Sequence, residues 1–378
     1  MAKRKPVGLA CSCERAQLNA ALRRVSRAVS TSSPLPILHN VLIEADGETM
    51  RLAANDLELA MECRLSATVT TPGAACLPGR LLGEIVAGIA GDHVTFALGE
   101  QNGVEVVGGS SRYRVMGLPS EEFPAAPEVG GAVSFTLPAD ALHRALKIVR
   151  TAVSDDETRP TITAVKFEVG PGKLRLVATD THRLAMCDLL CEGVDEESAA
   201  LVPDRVAAEL FRLSADQGQR EIQARWDQNQ ALFRIGETTL VSRLIAGQFP
   251  RYERIIPKEL PTTWILSLAG FGGAVDRVMV VARENSNRVH LAVEEGRLVL
   301  RAVSGVIGEA REEIEVEVAG NAIGGEIILN GRFLRETLAA LDGERARLDL
   351  SDPGAATTLR VEGRDDARVV IMPMSASA

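Results

Sequence analysis

Aromatic side chains are scarce in this chain: Phe, Tyr and Trp make up only 3% of its 378 residues. A binding face of stacked aromatic rings, which many single-strand and RNA binders use, is therefore not expected. Because 46% of the residues are hydrophobic, a substantial core can still form, mainly from Leu, Val, Ile and Ala. The length predicts two or three domains.

The sequence also lacks a segment that would cross a membrane as a helix. No stretch without Asp, Glu, Lys or Arg exceeds 16 residues, and the longest ones contain Pro, Ser and Thr, which excludes a transmembrane helix. The basic start, Met1–Pro6, is followed by no apolar segment and does not have the pattern of a signal peptide. Six cysteines do not form a disulfide framework in a chain of this size, so we expect reduced thiols and a cytoplasmic protein. They are Cys11, Cys13, Cys63, Cys76, Cys187 and Cys191.

Signals of catalysis and of bound cofactors are weak. The sequence has no His-Glu-x-x-His pair, no Gly-x4-Gly-Lys-Ser/Thr loop and no Gly-x-Gly-x-x-Gly motif after a strand. Cys11-x-Cys13 and Cys187-x3-Cys191 lack partners at zinc-site spacing. The acidic trio Asp155–Glu157 is typical of a solvated loop. We therefore predict no cofactor, no metal and no catalytic residue, while an enzyme with a site assembled from distant residues stays the rival hypothesis.

One apolar helix pattern occurs three times along the chain. Apolar residues spaced 4, 3, 3 and 1 apart, which form one stripe of a helix, recur in Leu18–Val29, Leu142–Val153 and Phe271–Ala282, at offsets of 124 and 129 residues. A strand–turn pair, Leu52–Asp56, is matched by Leu176–Asp180 at an offset of 124 residues, while the third copy keeps only strand character. The period of these matches indicates an internal repeat.

A further landmark marks the start of a second helix in each copy. Turn or capping residues are followed by Arg and, four residues after it, by Glu. The three instances are Pro78-Gly79-Arg80 with Glu84, Pro203-Asp204-Arg205 with Glu209, and Asn330-Gly331-Arg332 with Glu336. Between the helices lie short alternating strands separated by Gly, Asp and Asn turns. Examples are Val104–Val107, Tyr113–Met116, Leu232–Ile235 and Ile314–Val318.

These observations predict an α+β fold of three repeated domains. Each domain has two helices packed on antiparallel β-sheets. The turn-rich segments 124–131 and 257–261 separate the copies. We therefore expect domains at residues 1–127, 128–259 and 260–378.

Charge is distributed unevenly between the predicted helices and the rest of the chain. The net charge is −9, yet the helical segments carry 14 Lys and Arg against 9 Asp and Glu, and the remainder carries 28 against 42. A basic helical layer on an acidic body suits sequence-independent contact with DNA phosphates, although a solvated helix face stays the alternative for each residue. We predict DNA contacts at Arg23, Arg24, Arg27, Arg80, Arg144, Lys147, Arg150 and Arg205.

Four stretches carry a family resemblance: Leu35–Asn40, Val177–Ala185, Phe249–Tyr252 and Val370–Met374. With the three repeats, they resemble the bacterial DNA sliding clamp, the beta subunit of DNA polymerase III, over essentially the whole chain. The Thr-Asp-x-His-Arg-Leu block and the near-terminal Met-Pro-Met are the specific parts. The resemblance implies a head-to-tail homodimer that closes a ring around duplex DNA. It also implies a non-catalytic role in processivity, with opening of the ring by a separate ATP-driven loader.

The resemblance further implies two sets of contact residues. The dimer interface would use Tyr113 and Val115 on a strand of the first domain and Val280 and Val281 at a helix end of the third. A pocket would hold linear peptides from the replicative polymerase, the clamp loader, other DNA polymerases and repair proteins. It comprises Ile162, Thr179, His182, Arg183, Leu184, Pro250, Arg254, Ile255, Val370, Met372, Pro373 and Met374. Ordinary core packing stays the alternative for the valines, for Leu184 and for the C-terminal strand.

The sequence departs from the family pattern at a few positions. Thr181 occupies a position where the family usually has Gly, and the chain continues past Met374 as Ser375–Ala378. Ser32 and Asp156 stand where relatives have loop residues that can touch DNA. These departures leave open whether the chain is a main or an accessory clamp. A repeat scaffold that binds only proteins is a third hypothesis, which the basic helical layer disfavours.

Overall fold

A computed structural model describes residues 8–130, 133–215, 217, 220–321 and 325–375. Met1–Pro6 and residues 376–378 of the tail lie outside the described residues. Six α-helices occur in the described part of the chain, in three consecutive pairs, as the sequence predicts. They are α1 Arg15–Val25, α2 Gly79–Gly88, α3 Ala139–Val149, α4 Asp204–Ser214, α5 Leu268–Ala282 and α6 Gly331–Ala340.

The strands are short, and the ladders described residue by residue between them are antiparallel. In the first half of the chain they are β1 Ala10–Glu14, β2 Asn40–Asp46, β3 Thr49–Asn55, β4 Leu59–Ser66, β5 Thr68–Thr71, β6 Gly73–Pro78, β7 His93–Leu98, β8 Gly103–Gly108, β9 Ser111–Met116, β10 Val133–Pro138, β11 Ala164–Gly170, β12 Lys173–Thr179 and β13 Arg183–Leu190. In the second half they are β14 Ser198–Pro203, β15 Glu221–Trp226, β16 Gln230–Ile235, β17 Thr238–Arg243, β18 Thr262–Ser267, β19 Arg288–Glu294, β20 Arg297–Ser304, β21 Gly308–Glu315, β22 Glu317–Gly320, β23 Ile327–Asn330, β24 Arg345–Leu350, β25 Thr357–Val361 and β26 Ala367–Ile371.

The apolar stripe predicted from the sequence is the face with which each first helix packs on a sheet. On α1 the buried residues are Leu18, Ala21, Leu22 and Val25, and the helix lies against β3 and β4. The other two first helices, α3 and α5, pack in the same way on the sheets beneath them, and each pairs with the second helix of its own copy. A 3₁₀ turn extends all three first helices by three residues. The helical repeat is therefore also a repeat of packing.

The chain divides into two compact units. The first comprises Met1–Thr136 and Arg220–Leu244, and the second comprises Leu137–Gln219 and Ile245–Ala378. In the first unit one sheet has the order β5-β1-β7-β8-β9 and the other β10-β15-β16-β17-β4-β3-β2-β6. In the second unit the orders are β14-β11-β12-β13-β26-β25-β24-β18-β22 and β21-β20-β19-β23.

This division differs from the three predicted domains because two sheets are shared between copies of the repeat. The strands β15 to β17 lie beyond residue 127 in the sequence, yet β17 pairs with β4 and belongs to the first unit. In the second unit β13 pairs with β26. Hydrogen bonding along a ladder joins strands across the predicted boundaries, which composition and turn residues do not reveal.

The strand–turn landmark repeats at the level of individual hydrogen bonds. In the first copy the Asp56 carboxylate accepts from the backbone N–H groups of Glu58 and Leu59 at 3.1 and 2.8 Å. In the second, the Asp180 carboxylate accepts from the N–H groups of the residues two and three positions on, both at 2.9 Å. The residue after each Asp, Leu57 or Thr181, has φ of +76°. The predicted repeat is therefore one turn geometry used twice.

Two predicted elements differ in detail from the structure. The predicted strand Ile314–Val318 is interrupted at Val316, where β21 ends and β22 begins. The helix α5 begins at Leu268, before the predicted Phe271, because the Ser267 hydroxyl accepts from the backbone N–H of Gly270 and caps an earlier first turn.

Candidate protein-binding site

Three neighbouring strands of the second unit bring distant parts of the sequence together. Thr179 at the end of β12 pairs with Leu184 on β13, and Leu184 pairs with Val370 on β26. Because side chains alternate between the two faces of a sheet, residues in these paired positions share one face. The Thr-Asp-x-His-Arg-Leu block and the C-terminal Val-Ile-Met-Pro-Met segment therefore meet in the fold, as the resemblance implies.

An apolar cluster covers this face. Its buried members are Val177, Leu184, Met186, Tyr252 and Val370, and Phe249, Ile256 and Ala356 pack at its margin. Two further hydrophobic side chains, Ile255 and Met372, are 37% and 40% exposed. Exposed apolar side chains beside a buried cluster form a surface on which a partner's apolar side chain can be buried.

The turn between β12 and β13 is held by its own side chains. The hydroxyl of Thr179 accepts from the Thr181 N–H at 3.1 Å and donates to the Arg183 carbonyl at 2.8 Å. The Asp180 carboxylate accepts from two backbone N–H groups of the turn and from Arg183 Nε at 3.0 Å. The side chain of His182 remains exposed at the tip. The turn is thus pre-organised, with an imidazole that a ligand can reach.

Arg183 is buried, with 4% of its side chain exposed, and is engaged within the chain. Its Nη1 lies 2.7 Å from Glu336 Oε2 on α6, off the hydrogen-bonding axis. Its guanidinium carbon lies 4.2 Å from the ring centroid of Phe333. The imidazole of His182 lies roughly parallel to the ring of Phe333, at an interplanar angle of 25° and with the ring centroids 6.4 Å apart. The guanidinium therefore joins the turn to α6.

The C-terminal segment is attached at both of its ends. The Met372 N–H donates to the His182 carbonyl at 2.9 Å, and the Met374 N–H donates to the Ile328 carbonyl at 2.8 Å. Between them Pro373 is half-buried. Met372 is therefore held against the turn and Met374 against β23, and unbranched Met side chains adapt to varied ligands.

The remaining predicted pocket residues lie less centrally. Pro250 and Arg254 are exposed on the segment that carries Tyr252, which places them at the rim. Ile162 is buried at the end of a 3₁₀ turn and is not a member of the described apolar cluster. Sequence reasoning missed Tyr252 and Phe333 as site residues. Tyr252 stands in the Phe-Pro-Arg-Tyr stretch that carried the resemblance, so its signal was present; Phe333 had no signal beyond its place on the apolar face of a helix.

The tyrosine connects the cluster with charged side chains on the same sheet. Its hydroxyl donates to Glu168 Oε2 at 2.5 Å. Burial, followed by this contact with Glu168, raises the pKa of Tyr252 well above its ordinary value of 10.0. Arg175 donates to both oxygens of Asp188 at 2.6 and 2.9 Å. The raised pKa keeps the Tyr252 hydroxyl neutral, and its hydrogen bond to Glu168 holds the ring within the apolar cluster.

The predicted DNA-contact residues differ in how far their charge is already neutralised. In the second unit, Arg144 pairs with Asp140 at 2.7 Å, Lys147 with Asp342 at 2.7 Å and Arg150 with both oxygens of Asp204. In the first unit, Arg80 pairs with Glu84. Within the described residues, Arg23 is exposed on α1 without an acidic partner. Arg27 and Arg205 are also exposed, and Arg24 is half-buried beside Cys63.

The predicted interface residues lie at the edges of their units. Tyr113 is 38% exposed and Val115 is buried on β9, the last strand of its sheet. Val280 is 67% exposed and Val281 is half-buried near the end of α5. Exposure of one residue of each pair fits a docking edge, while Val115 packs within its own unit.

The cysteine thiols and the Asp156 carboxylate are enclosed by or bonded to their own chain. All six cysteines are buried, and burial raises the pKa of Cys11 to about 11 and of Cys187 to about 12. Over the described ranges, no three His, Cys, Asp or Glu side chains are grouped to hold a metal ion. Asp156, in the acidic trio, accepts from Thr158 and Arg159 of its own loop. No helix among the described residues is long and apolar enough to cross a membrane.

Comparison with known proteins matches nearly the whole chain to one family. The N-terminal, central and C-terminal domains of the DNA polymerase III beta subunit match residues 9–127, 136–251 and 253–375. The beta sliding clamp of Synechococcus elongatus is 32% identical over 369 residues, covering 96% of this chain and 98% of that protein. A C. crescentus beta sliding clamp with bound polyethylene glycol is 30% identical, with a TM-score of 0.91 over 98% of this chain and 99% of that one. A Pseudomonas aeruginosa clamp bound to griselimycin is 29% identical, with a TM-score of 0.92 over 97% of this chain and 100% of that one.

Three repeated α+β copies whose sheets continue from one copy into the next define the clamp class of proteins. The chain belongs to the DNA polymerase III beta subunit family, the bacterial DNA sliding clamps. It functions as a DNA sliding clamp for the replicative polymerase, in DNA replication, and is a processivity factor without a catalytic role.

Proposed function

We propose that two copies of the chain join head to tail into a closed ring on duplex DNA. The observation that supports this ring most directly is the pairing of strands between copies of the repeat. The last strand of the second copy, β17, pairs with the fourth strand of the first copy, β4. In the same way β26, the last strand of the third copy, pairs with β13, the fourth strand of the second.

This pattern leaves one partner strand unused at each end of the series. β9 is the last strand of the first copy and ends its sheet, and β21 is the fourth strand of the third copy and also ends its sheet. Both therefore present unpaired backbone groups. If each of two copies pairs its β21 with the β9 of the other copy, two further junctions of the same kind form. A heterologous interface whose rotation returns to the first subunit gives such a closed ring.

Charge supports the pairing of these two edges. β9 carries Arg112 and Arg114, and β21 carries four glutamates against one arginine. The glutamates are Glu309, Glu312, Glu313 and Glu315. Opposite charge on the two edges steers them together and disfavours pairing of β21 with a second β21. The predicted contacts Tyr113, Val115, Val280 and Val281 belong to or adjoin these edges.

We infer that the eight helix cations contact DNA phosphates without reading sequence. Such contacts are weak and depend on salt, so the clamp can slide while the ring holds it in place. The acidic remainder of the chain discourages attachment of DNA elsewhere.

We infer that the surface around Leu184, Tyr252, Val370 and Met372 binds short linear peptides of the replicative polymerase, the clamp loader, other polymerases and repair proteins. Its apolar floor suits a Leu-like side chain, and its rim offers His182 as a hydrogen-bonding group. Tethering through this site turns rebinding of the polymerase into an event at high effective concentration. We infer that the three clamp domains span 1–127, 128–259 and 260–378, near the family matches at 9–127, 136–251 and 253–375. We place the protein in the cytoplasm, where a bacterial chromosome is replicated.

Retention on DNA of different topology tests the ring. The protein is loaded onto nicked circular plasmid by a bacterial clamp loader with ATP, and the plasmid is then cut once. We expect retention on circles and release from linear DNA, because attachment depends on topology and not on tight contact. Equal retention on both forms would exclude encirclement. A protein that stays monomeric in solution would exclude the dimeric ring and favour a scaffold that binds only proteins.

Titration with a fluorescent peptide from the clamp-binding segment of a bacterial replicative polymerase tests the pocket. We expect Met372→Ala to weaken binding about tenfold, since roughly 1–2 kcal/mol of apolar contact is removed. Val318→Ala is the matched control, because Val318 is similarly exposed, at 45%, on β22. Equal affinity of the Met372 variant and the control would reject the assigned surface.

A further inference from the structure

The hairpin formed by β20 and β21 is the counterpart, in the third copy, of the hairpins β3–β4 and β12–β13. In each copy the preceding turn leads into the first strand of this hairpin at an equivalent residue, which is Thr49, Lys173 or Arg297. Counted from that residue, the last ladder pair lies at the seventh residue in the first two copies, at Asn55 and Thr179, and at the eighth in the third, at Ser304. The three tips therefore extend equally far to within one ladder pair, about 3.3 Å.

The tip of the hairpin in the third copy is apolar and exposed. Val303, Val306 and Ile307 are 51%, 86% and 52% exposed. Three neighbouring aliphatic side chains at a hairpin tip are unusual on a surface, where Gly, Asn, Asp and Ser are the ordinary turn residues. The tip is also ordered: the Ser304 hydroxyl accepts from the Val306 N–H at 3.3 Å, and Asn285 Nδ2 donates to the Val303 carbonyl at 3.0 Å. Little further ordering is needed for these side chains to dock.

We propose that this tip, residues 303–307, is a contact surface for a second copy of the chain and covers the apolar residues at the end of that copy's β9. The proposal rests on the head-to-tail dimer of the proposed function and adds a specificity-determining contact to it. The edge strand β21 continues directly into the tip, so that pairing of β21 with β9 brings the tip to the partner.

The two junctions within the chain show where such a tip arrives. In the first, the carbonyl of Glu58 at the tip of the β3–β4 hairpin accepts from the N–H of Arg243, the last residue of β17, at 2.9 Å. In the second, the His182 carbonyl accepts from Met372, just after β26. In both junctions the tip therefore reaches the end of the partner strand. The tip of the third copy, whose hairpin has nearly the same length, reaches the end of β9 in the same way.

The surface around the end of β9 is apolar as well. Met116, the last residue of β9, is 53% exposed, and Leu81 in the first turn of α2 is 45% exposed. The half-buried Leu118 lies between them in the chain's fold, because its N–H donates to the Cys76 carbonyl at 3.0 Å, at the end of β6 from which α2 starts. This patch of the first unit matches the tip in chemistry and in the position that the repeat assigns to it.

Dimer dissociation, measured by sedimentation over a concentration series, tests the contact in the full-length protein. We expect the double variant Val306→Ser/Ile307→Ser, and separately Leu81→Ser, to raise the dimer Kd at least tenfold, since apolar area of a valine or leucine is left exposed. Leu190→Ser is the matched control: Leu190 is 82% exposed on β13, outside both edges, and its Kd should stay within about twofold of the parent protein. Unchanged thermal melting of each variant's monomer establishes that folding is retained.

A cross-link provides the second readout. With Val306→Cys and Leu81→Cys in one chain, mild oxidation should give a covalent dimer that reductant reverses, while each single variant should not, because the six native cysteines are buried. Absence of the cross-link together with a parental Kd in the serine variants overturns the tip contact and leaves the ring intact. A parent protein that is monomeric throughout the series overturns both the tip contact and the proposed dimer.

Discussion

The guanidinium of Arg183 lies against the ring of Phe333, 4.2 Å from its centroid. The same ring carries His182 within 6.4 Å and the Arg332 guanidinium at 5.5 Å. One aromatic residue of α6 therefore contacts both a buried cation from the turn between β12 and β13 and a cation of its own helix. Through this ring the shape of the turn depends on the position of α6.

Replacing Arg183 should damage both the fold and the site. In Arg183→Ala, Asp180 and Glu336 lose a buried cation, and we expect a loss of about 2–4 kcal/mol in the free energy of unfolding. Arg332→Ala, which removes an exposed cation from the same ring, should cost less than about 1 kcal/mol. Urea unfolding followed by circular dichroism separates the two, and equal losses would contradict the burial argument.

The backbone at Thr181 predicts a stabilising change. A β-branched residue at φ of +76° is strained, so Thr181→Gly should raise the free energy of unfolding by about 1 kcal/mol. Leu57→Gly, at the same φ in the first copy, should act in the same direction. Gly172→Ala is the opposite control, since Gly172 has φ of +72° in open space and should lose about 1 kcal/mol. If the Thr181→Gly variant melts at a lower temperature than the parent protein, the contacts of the Thr181 hydroxyl or methyl group stabilise the fold by more than the backbone strain destabilises it.

The ion pair of Asp188 predicts a pH dependence. Partial burial raises the pKa of this carboxyl, but hydrogen bonds from Arg175 and Lys173 outweigh it, and the pKa lies below its ordinary value of 3.8. The charged contact therefore stabilises the fold above pH 3.8 and is lost as the pH falls through the lower, folded-state pKa. Asp188→Asn should cost about 1 kcal/mol near neutral pH, and the difference from the parent protein should disappear in acid. A pH series of urea midpoints measures this; a difference that persists in strong acid would assign the effect to packing.

Buried thiols predict slow labelling. Burial raises the pKa of Cys11 to about 11, and burial followed by the neighbouring Cys11 raises the pKa of Cys13 to about 12. Few thiolates then exist near neutral pH, and reagents cannot reach them. A disulfide-exchange reagent should label none of the six cysteines in the native protein within minutes and all of them after denaturation in guanidinium. Rapid labelling of the native state would reveal local opening.

Ion pairs within the chain predict which helix cations contribute most to DNA binding. Arg23→Ala should lower the salt dependence of DNA association by about one counterion, because Arg23 is exposed without an acidic partner among the described residues. Arg144→Ala should have a smaller effect, since Asp140 already lies 2.7 Å from Arg144. Fluorescence anisotropy on short duplex DNA over a salt series gives both slopes. The reverse order of effects would show that the Asp140 pair opens on DNA.

The sequence predicted the helices and the repeat well, because both depend on local periodicity. The stripe from Leu18 to Val29 is visible in the residues themselves, and so is the turn at Asp56 and Asp180. The pairing of β17 with β4 and of β13 with β26 was not predictable, since hydrogen bonds between distant strands leave no local pattern. For the same reason Phe333 was missed: only the fold brings it beside Arg183.

The shared sheets have a consequence for how the chain can be divided. A fragment that ended at residue 127 would keep β4 but lose β17, and the five residues of β4 that pair with β17, 59–63, would become an open edge. Open edges of that length recruit other strands and promote aggregation. Separately expressed domains and chimaeras joined at the predicted boundaries should therefore be insoluble more often than fragments that keep both strands of each paired junction, β4 with β17 and β13 with β26. Exchange of segments between homologous genes is constrained in the same way, because a viable crossover must preserve both strands of a junction.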